Sequence, residues 1–287
     1  MKKMDKPCQI IIDGNYMGYR SWSQSMMNLS CERNGVIVPT GTIYSFINDL
    51  LDLHRTFRGG EFYQNPEMIV AWDCAPTVRK AIDPSYKANR SKKGNTNYSR
   101  MKVQLIELQR FLPYMGIKQY WCEGYEADDI VATLCHRSSW KVVVVARDKD
   151  LYQVLKDGIY LYDFKDIKDI KWFRQEFGIE PYQWIEVQSL AGDSVDNVEG
   201  VKGIGIKTAI KMVSSLGEVE NMCDLIGDEF DKVLLAKELV TLITNLNLEG
   251  VEPILDKKKV IGLLERKGIS AIQKKSEFDS FMSRRII

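Results

Sequence analysis

Short apolar runs alternate with amphipathic stretches through the first half of the chain. The runs Cys8 to Ile12, Met68 to Trp72 and Val142 to Val145 are typical of strands buried on both faces of a parallel sheet. Helical periodicity separates them, in Thr42 to Phe57 and in Met101 to Leu112. This order of elements predicts an α/β fold with a mostly parallel central sheet flanked by helices.

The strand signals fade after about Pro181, where helical patterns are interrupted by glycines. We therefore expect an α/β core over residues 1–180 and a smaller helical region over residues 181–287. Between Asp83 and Ser99 the chain is polar and basic and contains Pro84 and Gly94, which predicts a mobile segment.

Composition excludes several functional classes. The six cysteines are far apart and form no C-x-x-C pair, which argues against a zinc site and a disulfide framework. Only two histidines, His54 and His136, are present, and neither belongs to a nucleophile or metal motif. No apolar run reaches the roughly 20 residues that span a bilayer, and the charged N-terminus lacks the apolar stretch of a signal peptide, so we expect a cytoplasmic protein.

The net charge of +1 conceals a segregation of charges along the chain. From Arg79 to Lys102, here called the basic segment, there are eight lysines or arginines and one acid, Asp83. A local excess of this kind is typical of a surface that binds phosphate groups, although it also fits a solvated loop.

Aspartates follow the predicted strands at the points where the strands end. Asp13 follows the first run, Asp73 the second, and Asp148 and Asp150 the third. Because ligands of open α/β sheets bind at the carboxyl edge, we expect these side chains to share a site. Each aspartate taken singly could merely start a turn.

A second acidic group, Glu126, Asp128 and Asp129, precedes the apolar helical run that begins at Ile130. Acids in a first helical turn can be simple caps, worth about 0.3–1 kcal/mol each. Clustered with the strand-end acids, however, they would repel one another by about 4 kcal/mol per pair at 4 Å and an effective dielectric near 20. Bound cations would relieve that repulsion, and an all-oxygen set favours Mg²⁺ or Mn²⁺ over zinc, with calcium a further possibility.

A glycine-rich stretch, Gly192 to Gly205, adds two acids, Asp193 and Asp196, and is here called the glycine turn. A Walker A loop requires glycine directly before its Lys-Thr pair, but Ile206 stands there. The turn leads into a predicted helix, which is a phosphate-binding arrangement, although the glycines could equally serve helix packing.

Three motifs resemble those of the 5′-to-3′ exonucleases and flap endonucleases of bacteria and phages, including the nuclease domain of bacterial DNA polymerase I. They are Glu123-Gly124-Tyr125-Glu126-Ala127-Asp128-Asp129, Asp148-Lys149-Asp150-Leu151-Tyr152-Gln153, and Gly192-Asp193 through Asp196-Asn197 to Gly203-Ile204-Gly205. The resemblance extends to about Leu216. It implies a PIN-like fold with a helical arch at about residues 79–102 and a helix-three-turn-helix at about residues 184–216.

The resemblance also implies two metal sites. One ion would be held near Asp13, Asp73, Glu126 and Asp128, and the other served by Asp129, Asp148, Asp150, Asp193 and Asp196. In this two-metal scheme no histidine base is required, which agrees with the scarcity of histidine.

By the same resemblance, Lys87 and Arg79 would neutralise the scissile phosphate, Tyr86 would stack on a terminal base, and Arg90 would contact DNA. The turn would hold duplex phosphates, and a potassium ion often bridges it to DNA in that family. The residues expected to make these contacts are Lys202, Gly203, Gly205, Lys207 and Thr208.

The implied function is a structure-specific 5′-to-3′ exonuclease and flap endonuclease acting in replication or repair. Its expected partner is DNA with a free 5′ end or flap, with an RNA-primed end as an alternative, and we expect a monomeric, stand-alone, phage-type enzyme in the host cytoplasm. The rival functions are a PIN-like ribonuclease, a phosphatase with Asp13 as nucleophile, and a junction clamp that no longer cuts. The phosphatase motif needs a second aspartate that Asp13-Gly14-Asn15 lacks.

Overall fold

The fold is built on a seven-stranded sheet, seen in a computed structural model that describes residues 8–23, 29–58, 65–90 and 96–284. The strand order is β8-β7-β6-β1-β4-β5-β9, and β2 and β3 form a separate hairpin. The five central strands are parallel and the two edge strands antiparallel. The strands are β1 (Cys8–Asp13), β2 (Ser30–Arg33), β3 (Val36–Pro39), β4 (Glu67–Ala71), β5 (Lys118–Trp121), β6 (Lys141–Val145), β7 (Ile159–Tyr162), β8 (Ile167–Lys168) and β9 (Glu249–Val251).

Helices cover both faces of this sheet. They are α1 (Gly14–Ser23), α2 (Gly41–Phe57), α3 (Arg79–Ile82), α4 (Thr96–Phe111), α5 (Ala127–Arg137), α6 (Ile170–Phe177), α7 (Trp184–Ala191), α8 (Ile206–Leu216), α9 (Cys223–Ile226), α10 (Phe230–Val240), α11 (Lys257–Arg266) and α12 (Ser276–Met282). Successive residues of a strand point to opposite faces. Ile10 and Ile12 therefore pack with α2, α4 and α12, whereas Ile11 packs with α5, α7 and α8.

The predicted α/β architecture is confirmed. All three predicted strands are present as β1, β4 and β6, and the two predicted helices are α2 and α4. A strand that is buried on both faces carries apolar residues at successive positions, which explains the continuous apolar runs.

The register of the central strands brings their ends to one edge. β1 lies between β4 and β6, with Ile12 opposite both Val70 and Val145. Because all three strands are parallel, the residues that follow them, including Asp13, Asp73 and Asp148, emerge at the same carboxyl edge.

The end of the chain differs from the predicted helical region. β9 pairs with β5, and Val260, Leu264 and Phe281 belong to the same core as β1 and α2. The segment after about residue 249 therefore returns to the sheet instead of extending the region that begins near residue 181. No local sequence pattern predicts this return, because β9 has only three residues and all three are exposed.

The described part of the basic segment contacts the glycine turn, and its expected mobility stays a prediction. Residues 79–82 form the short helix α3, and α4 begins at residue 96. Between them, Asn89 donates to the carbonyl of Ser194 at 2.9 Å, and Asn197 donates to the carbonyl of Ser85 at 2.9 Å. Residues 83–90 are thus held against the glycine turn, while residues 91–95 of the predicted arch lie outside the described residues.

The cysteines differ in exposure, since Cys8 and Cys135 are buried whereas Cys223 is exposed. All six cysteines are free thiols. In the part of the chain that the structure describes, each helix is too short or too polar to cross a bilayer.

Candidate nuclease site at the acidic edge

Asp13 closes β1 and starts α1. Its Oδ1 accepts hydrogen bonds from the backbone N–H groups of Asn15 and Tyr16, both at 2.9 Å, so the carboxylate caps the helix. Burial, together with the neighbouring carboxylates of Asp73 and Asp148, raises the pKa of Asp13 to about 7, while those hydrogen bonds act in the opposite direction. Asp13 therefore both caps α1 and lies close to other acids.

Asp73 links β4 to the start of α5. Its Oδ1 accepts from the backbone N–H of Ala127 at 2.8 Å, and its Oδ2 accepts from the side-chain amide of Asn15. The sequence interpretation overlooked Asn15, although its position two residues after Asp13 was a usable signal. Asp73 itself is exposed at the edge.

Asp129 is fully buried and pairs with Arg79 through two parallel hydrogen bonds of 2.6 and 2.7 Å. The same carboxylate accepts from the backbone N–H of Ile243 at 3.0 Å. Arg79 is 4% exposed and also donates to the carbonyls of Leu239 and Thr241. The predictions that Asp129 serves a metal and that Arg79 meets the scissile phosphate do not agree with this conformation, because both groups are already satisfied by each other.

Glu126 precedes α5 and receives several donors. Its Oε1 accepts from Nζ of Lys87 at 2.7 Å, and its Oε2 accepts from the hydroxyl of Tyr86 at 2.8 Å. The guanidinium of Arg79 is 3.6 Å from Oε2. Both carboxylate oxygens of Glu126 therefore already have partners from the basic segment.

Among the acids of this edge, Asp128 has a carboxylate oxygen that is available to bind a ligand. Its Oδ1 atom is buried and has no hydrogen-bond partner among the described residues. Burial raises the pKa of Asp128 well above its usual range, and Asp148, Asp13 and Asp150 add to the shift. An unpaired buried carboxylate oxygen beside three other acids is the environment that a cation would stabilise.

Asp148 and Asp150 lie where β6 leads into the next turn. Asp148 accepts from the backbone N–H of Asp150 at 3.0 Å, and Gln188 of α7 donates to Asp150. Burial raises the pKa of both carboxyls; Asp148 contributes to the shift at Asp150, and Asp196 contributes at both. Gln188 was missed by sequence reasoning, since a glutamine within an apolar helix carries no motif.

The glycine turn supplies Asp193 and Asp196. Asp193 Oδ1 accepts from the backbone N–H of Val195 at 2.7 Å and so shapes its own loop. A cavity of about 380 Å³ separates this loop from β6, with Asp148, Asp193 and Asp196 among its lining residues. The strand-end acid Asp148 and the two turn acids thus face one space.

Two cations of the basic segment, Lys87 and Arg90, contact the turn acid Asp196. Nζ of Lys87 is 3.3 Å from Asp196, in addition to its bond with Glu126, and Arg90 donates to Asp196. Tyr86 is 3% exposed, with its ring buried beside Lys87, so the prediction that it stacks on a terminal base does not agree with this conformation.

Among the described residues, no three histidine, cysteine or acidic side chains form a preformed ligand group for a metal ion. Lys87, Arg90 and Arg79 take oxygens of three of the acids, Glu126, Asp196 and Asp129. The donor set itself fits hard divalent cations, since it is entirely oxygen and includes the unpaired Oδ1 of Asp128.

The far side of the glycine turn is open to solvent. Lys202, Gly203, Gly205, Lys207 and Thr208 are all exposed. Gly203 has a φ of +83° with no neighbouring atom where a side chain would begin, and α8 starts without a side-chain cap. Exposed N–H groups at a helix start, flanked by lysines, can bind anions.

A parallel sheet with acids on its carboxyl edge, next to an exposed cationic turn, has the construction of a nuclease of the α/β class. Residues 9–182 match the family model "5′-3′ exonuclease, N-terminal resolvase-like domain". Residues 179–258 match "5′-3′ exonuclease, C-terminal SAM fold". The chain belongs to the 5′-3′ exonuclease family.

Curated relatives include both stand-alone proteins and larger ones. The 5′-3′ exonuclease of Aquifex aeolicus is 32% identical over 87% of this chain and 86% of the relative. The thermostable DNA polymerase I of Thermus thermophilus is 28% identical over 95% of this chain but only 32% of the relative. The chain therefore spans about a third of the polymerase relatives that it matches.

Solved structures share the fold. T5 5′-exonuclease bound to divalent metal ions (zinc) has a TM-score of 0.62 at 17% identity, covering 96% of this chain and 97% of that one. The catalytic core of Rad2 in complex with DNA substrate has a TM-score of 0.64 at 15% identity, covering 96% and 92%.

Proposed function

We propose that the protein is a structure-specific 5′-to-3′ exonuclease and 5′-flap endonuclease that hydrolyses DNA phosphodiester bonds with the help of two divalent metal ions. The observation that carries the proposal is the buried Oδ1 of Asp128, which has no partner in the described part of the chain and lies within the electrostatic reach of the strand-end acids Asp13, Asp148 and Asp150. Such a cluster costs stability unless it binds cations.

The proposed metal ligands divide between the sheet edge and the turn. One ion would be held near Asp13, Asp73, Glu126 and Asp128, and the other served by Asp148, Asp150, Asp193 and Asp196. Bound Mg²⁺ or Mn²⁺ would lower the pKa of a water molecule and neutralise charge on the phosphate. Asp129 acts as a positioning residue, because its buried pair with Arg79 fixes the start of α5, from which Asp128 projects.

Lys87 is the proposed catalytic cation. Its ammonium lies between Glu126 and Asp196, and this contact with two proposed site acids supports the proposal. We propose that it moves to the phosphate as charge develops there and stabilises that charge. Arg90, which now contacts Asp196, is proposed to bind the neighbouring phosphate.

Duplex DNA is proposed to lie on the exposed side of the glycine turn, with a potassium ion bridging the turn and a phosphate. The residues proposed to contact it are Lys202, Gly203, Gly205, Lys207 and Thr208. Contacts with phosphates carry no sequence information, so recognition would depend on a free 5′ end or flap, on DNA or on an RNA-primed strand. The enzyme is proposed to act as a monomer in the cytoplasm, in replication or repair.

The substitution Asp148→Asn tests the nuclease proposal. It removes one negative charge from the acidic edge with little change of volume, and we expect it to abolish cutting of a 5′-labelled flap in Mg²⁺ while junction binding is largely kept. Product lengths are measured by gel electrophoresis, with matched RNA and a phosphomonoester as alternative substrates. A wild-type protein that leaves every flap whole in Mg²⁺ and Mn²⁺ would falsify the proposal.

A further inference from the structure

A second cavity adjoins the acidic edge and has a different chemical character. Its volume is about 680 Å³, and it lies between α4, the end of β5 and the residues that follow β4. Asp73, a proposed metal ligand, belongs to its wall. We propose that this cavity binds an unpaired nucleobase of the DNA strand being cut, an inference that rests on the proposed nuclease function.

The wall of the cavity suits a nucleobase. Trp121 and Tyr114 are half-buried and supply aromatic surface, while the buried Trp72 supports the wall from behind. Asp73 is the only acid among the described residues that line the cavity. Aromatic side chains bind bases without regard to sequence, because every base has a π-face. The exposed guanidinium of Arg110, also in the wall, complements the phosphate attached to such a base.

The aromatic wall is held in place before any ligand arrives. Nε1 of Trp72 donates to Gln119 at 2.9 Å, and Gln119 in turn donates to the carbonyl of Gln109 on α4 at 2.8 Å. The ring of Trp72 stacks on Phe46, with centroids 6.2 Å apart. A pocket fixed in this way loses little conformational entropy when it binds.

The aliphatic part of the wall is unusually exposed. Ile106 is 44% exposed and Ile254 56% exposed, so covering them would be favourable. A segment of a protein partner could also cover them, but it would lie against Asp73 and obstruct the acidic edge. A base of the substrate strand would cover the apolar surface without obstructing the acidic edge, because it keeps its own phosphate near the acids. Ligand pockets of roughly 300–1,000 Å³ are large enough for such a group.

The test combines base removal with a substitution that fills the cavity. Each of the first unpaired nucleotides of a flap is replaced in turn by an abasic residue, and the cutting rate is measured. At one position, loss of the base is expected to slow the wild type about tenfold, the scale of one base stacked on an aromatic side chain. Ile106→Trp is expected to slow cutting of the intact flap to a similar degree and to be insensitive to base removal.

Val103→Trp is the matched control, because Val103 lies on the exposed surface of the same helix, 62% exposed, and is not among the residues lining the cavity. It should respond to base removal as the wild type does. The inference is overturned if the wild type cuts abasic flaps at the normal rate at every position, or if Ile106→Trp remains as sensitive to base removal as the wild type.

A binding measurement separates this inference from the nuclease proposal. In the Asp148→Asn protein, a flap carrying 2-aminopurine at the sensitive position should lose fluorescence on binding, and the added Ile106→Trp should restore it. Cutting without this quenching overturns the base site alone, whereas quenching by a wild type that does not cut overturns the nuclease proposal alone.

Discussion

At the scale of single residues, opposite charges determine which acids remain open to ligands. Arg79 takes both oxygens of Asp129, and Lys87 takes one oxygen of Glu126, while Oδ1 of Asp128 has no partner among the described residues. Asp129 is therefore part of a structural ion pair, whereas Asp128, one residue earlier, is a candidate metal ligand.

Arg79→Met should be strongly destabilising, because it leaves the carboxylate of Asp129 fully buried without its cation. Removing one partner of a buried ion pair costs about 3–5 kcal/mol. Urea denaturation followed by circular dichroism measures the loss. The matched control is Arg174→Met, which should change stability far less, since Arg174 pairs with Glu180 at the surface, where solvent screens the two charges. Equal losses for the two variants would contradict the structural role of Arg79.

Lys87→Met should have opposite effects on metal binding and on turnover. Turnover should fall about 100-fold or more, as when one donor to the developing charge is lost. The affinity for Mn²⁺, measured by titration calorimetry, should rise because the oxygens of Glu126 and Asp196 become available. Lys80→Met, an exposed position in the same segment, serves as the control and should change neither quantity. If Lys87→Met weakens DNA binding as much as turnover, Lys87 only positions the DNA.

At the scale of elements, the glycine turn depends on two chain segments passing very close to each other. A side chain at Gly192 would begin 2.5 Å from the backbone nitrogen of Gly200, and one at Gly200 would begin 2.4 Å from the carbonyl carbon of Ala191. This crossing holds Asp193 and Asp196 against the acids that follow β6.

Gly192→Ala should therefore reduce both stability and activity. Two effects combine. Gly192 has a φ of +69° and a ψ of 177°, a backbone region that essentially only glycine adopts, and a side chain there would also clash with Gly200. The backbone conformation alone costs about 1–3 kcal/mol for a non-glycine residue. Gly158→Ala is the matched control, because Gly158 has a φ of +88° with no atom within 4 Å. Thermal unfolding and flap cutting are compared, and a Gly192 variant no worse than the Gly158 variant would show that the close crossing is unimportant.

At the scale of the whole molecule, the sheet concentrates negative charge at one edge and its own basic segment partly neutralises it. Burial and neighbouring acids raise the pKa of Asp13 to about 7 and raise those of Asp128 and Asp150 as well. The apo protein is consequently destabilised at this edge, and ligands that relieve the repulsion should stabilise the entire fold.

Mg²⁺ or Mn²⁺ should raise the thermal midpoint of unfolding by about 5 °C or more at a hundredfold excess over Kd, where linkage contributes about 2.7 kcal/mol. Differential scanning fluorimetry measures the shift, with potassium chloride at equal ionic strength as the reference. Asp148→Asn should reduce the shift. An identical midpoint with and without divalent ions would argue against metal binding at this edge.

The sequence alone determined the central architecture and the candidate chemistry. Continuous apolar runs specified β1, β4 and β6, because a strand buried on both faces needs no polar positions. Parallel strands then required that the acids following those runs meet at one edge. The glycine pattern also indicated a tight turn at residues 192–205, and at Gly192 and Gly200 the close approach of the backbone excludes side chains.

Only the tertiary structure decided how those residues are used. Arg79 reaches Asp129, 50 positions away, and Leu239, 160 positions away, and no local pattern encodes such pairings. The burial of Tyr86 and the cavity beside Asp73 likewise arise from segments that are distant in the chain. Local sequence specifies strands, helices and turns through backbone preferences and periodicity, whereas the partner of each charge depends on how the assembled elements pack.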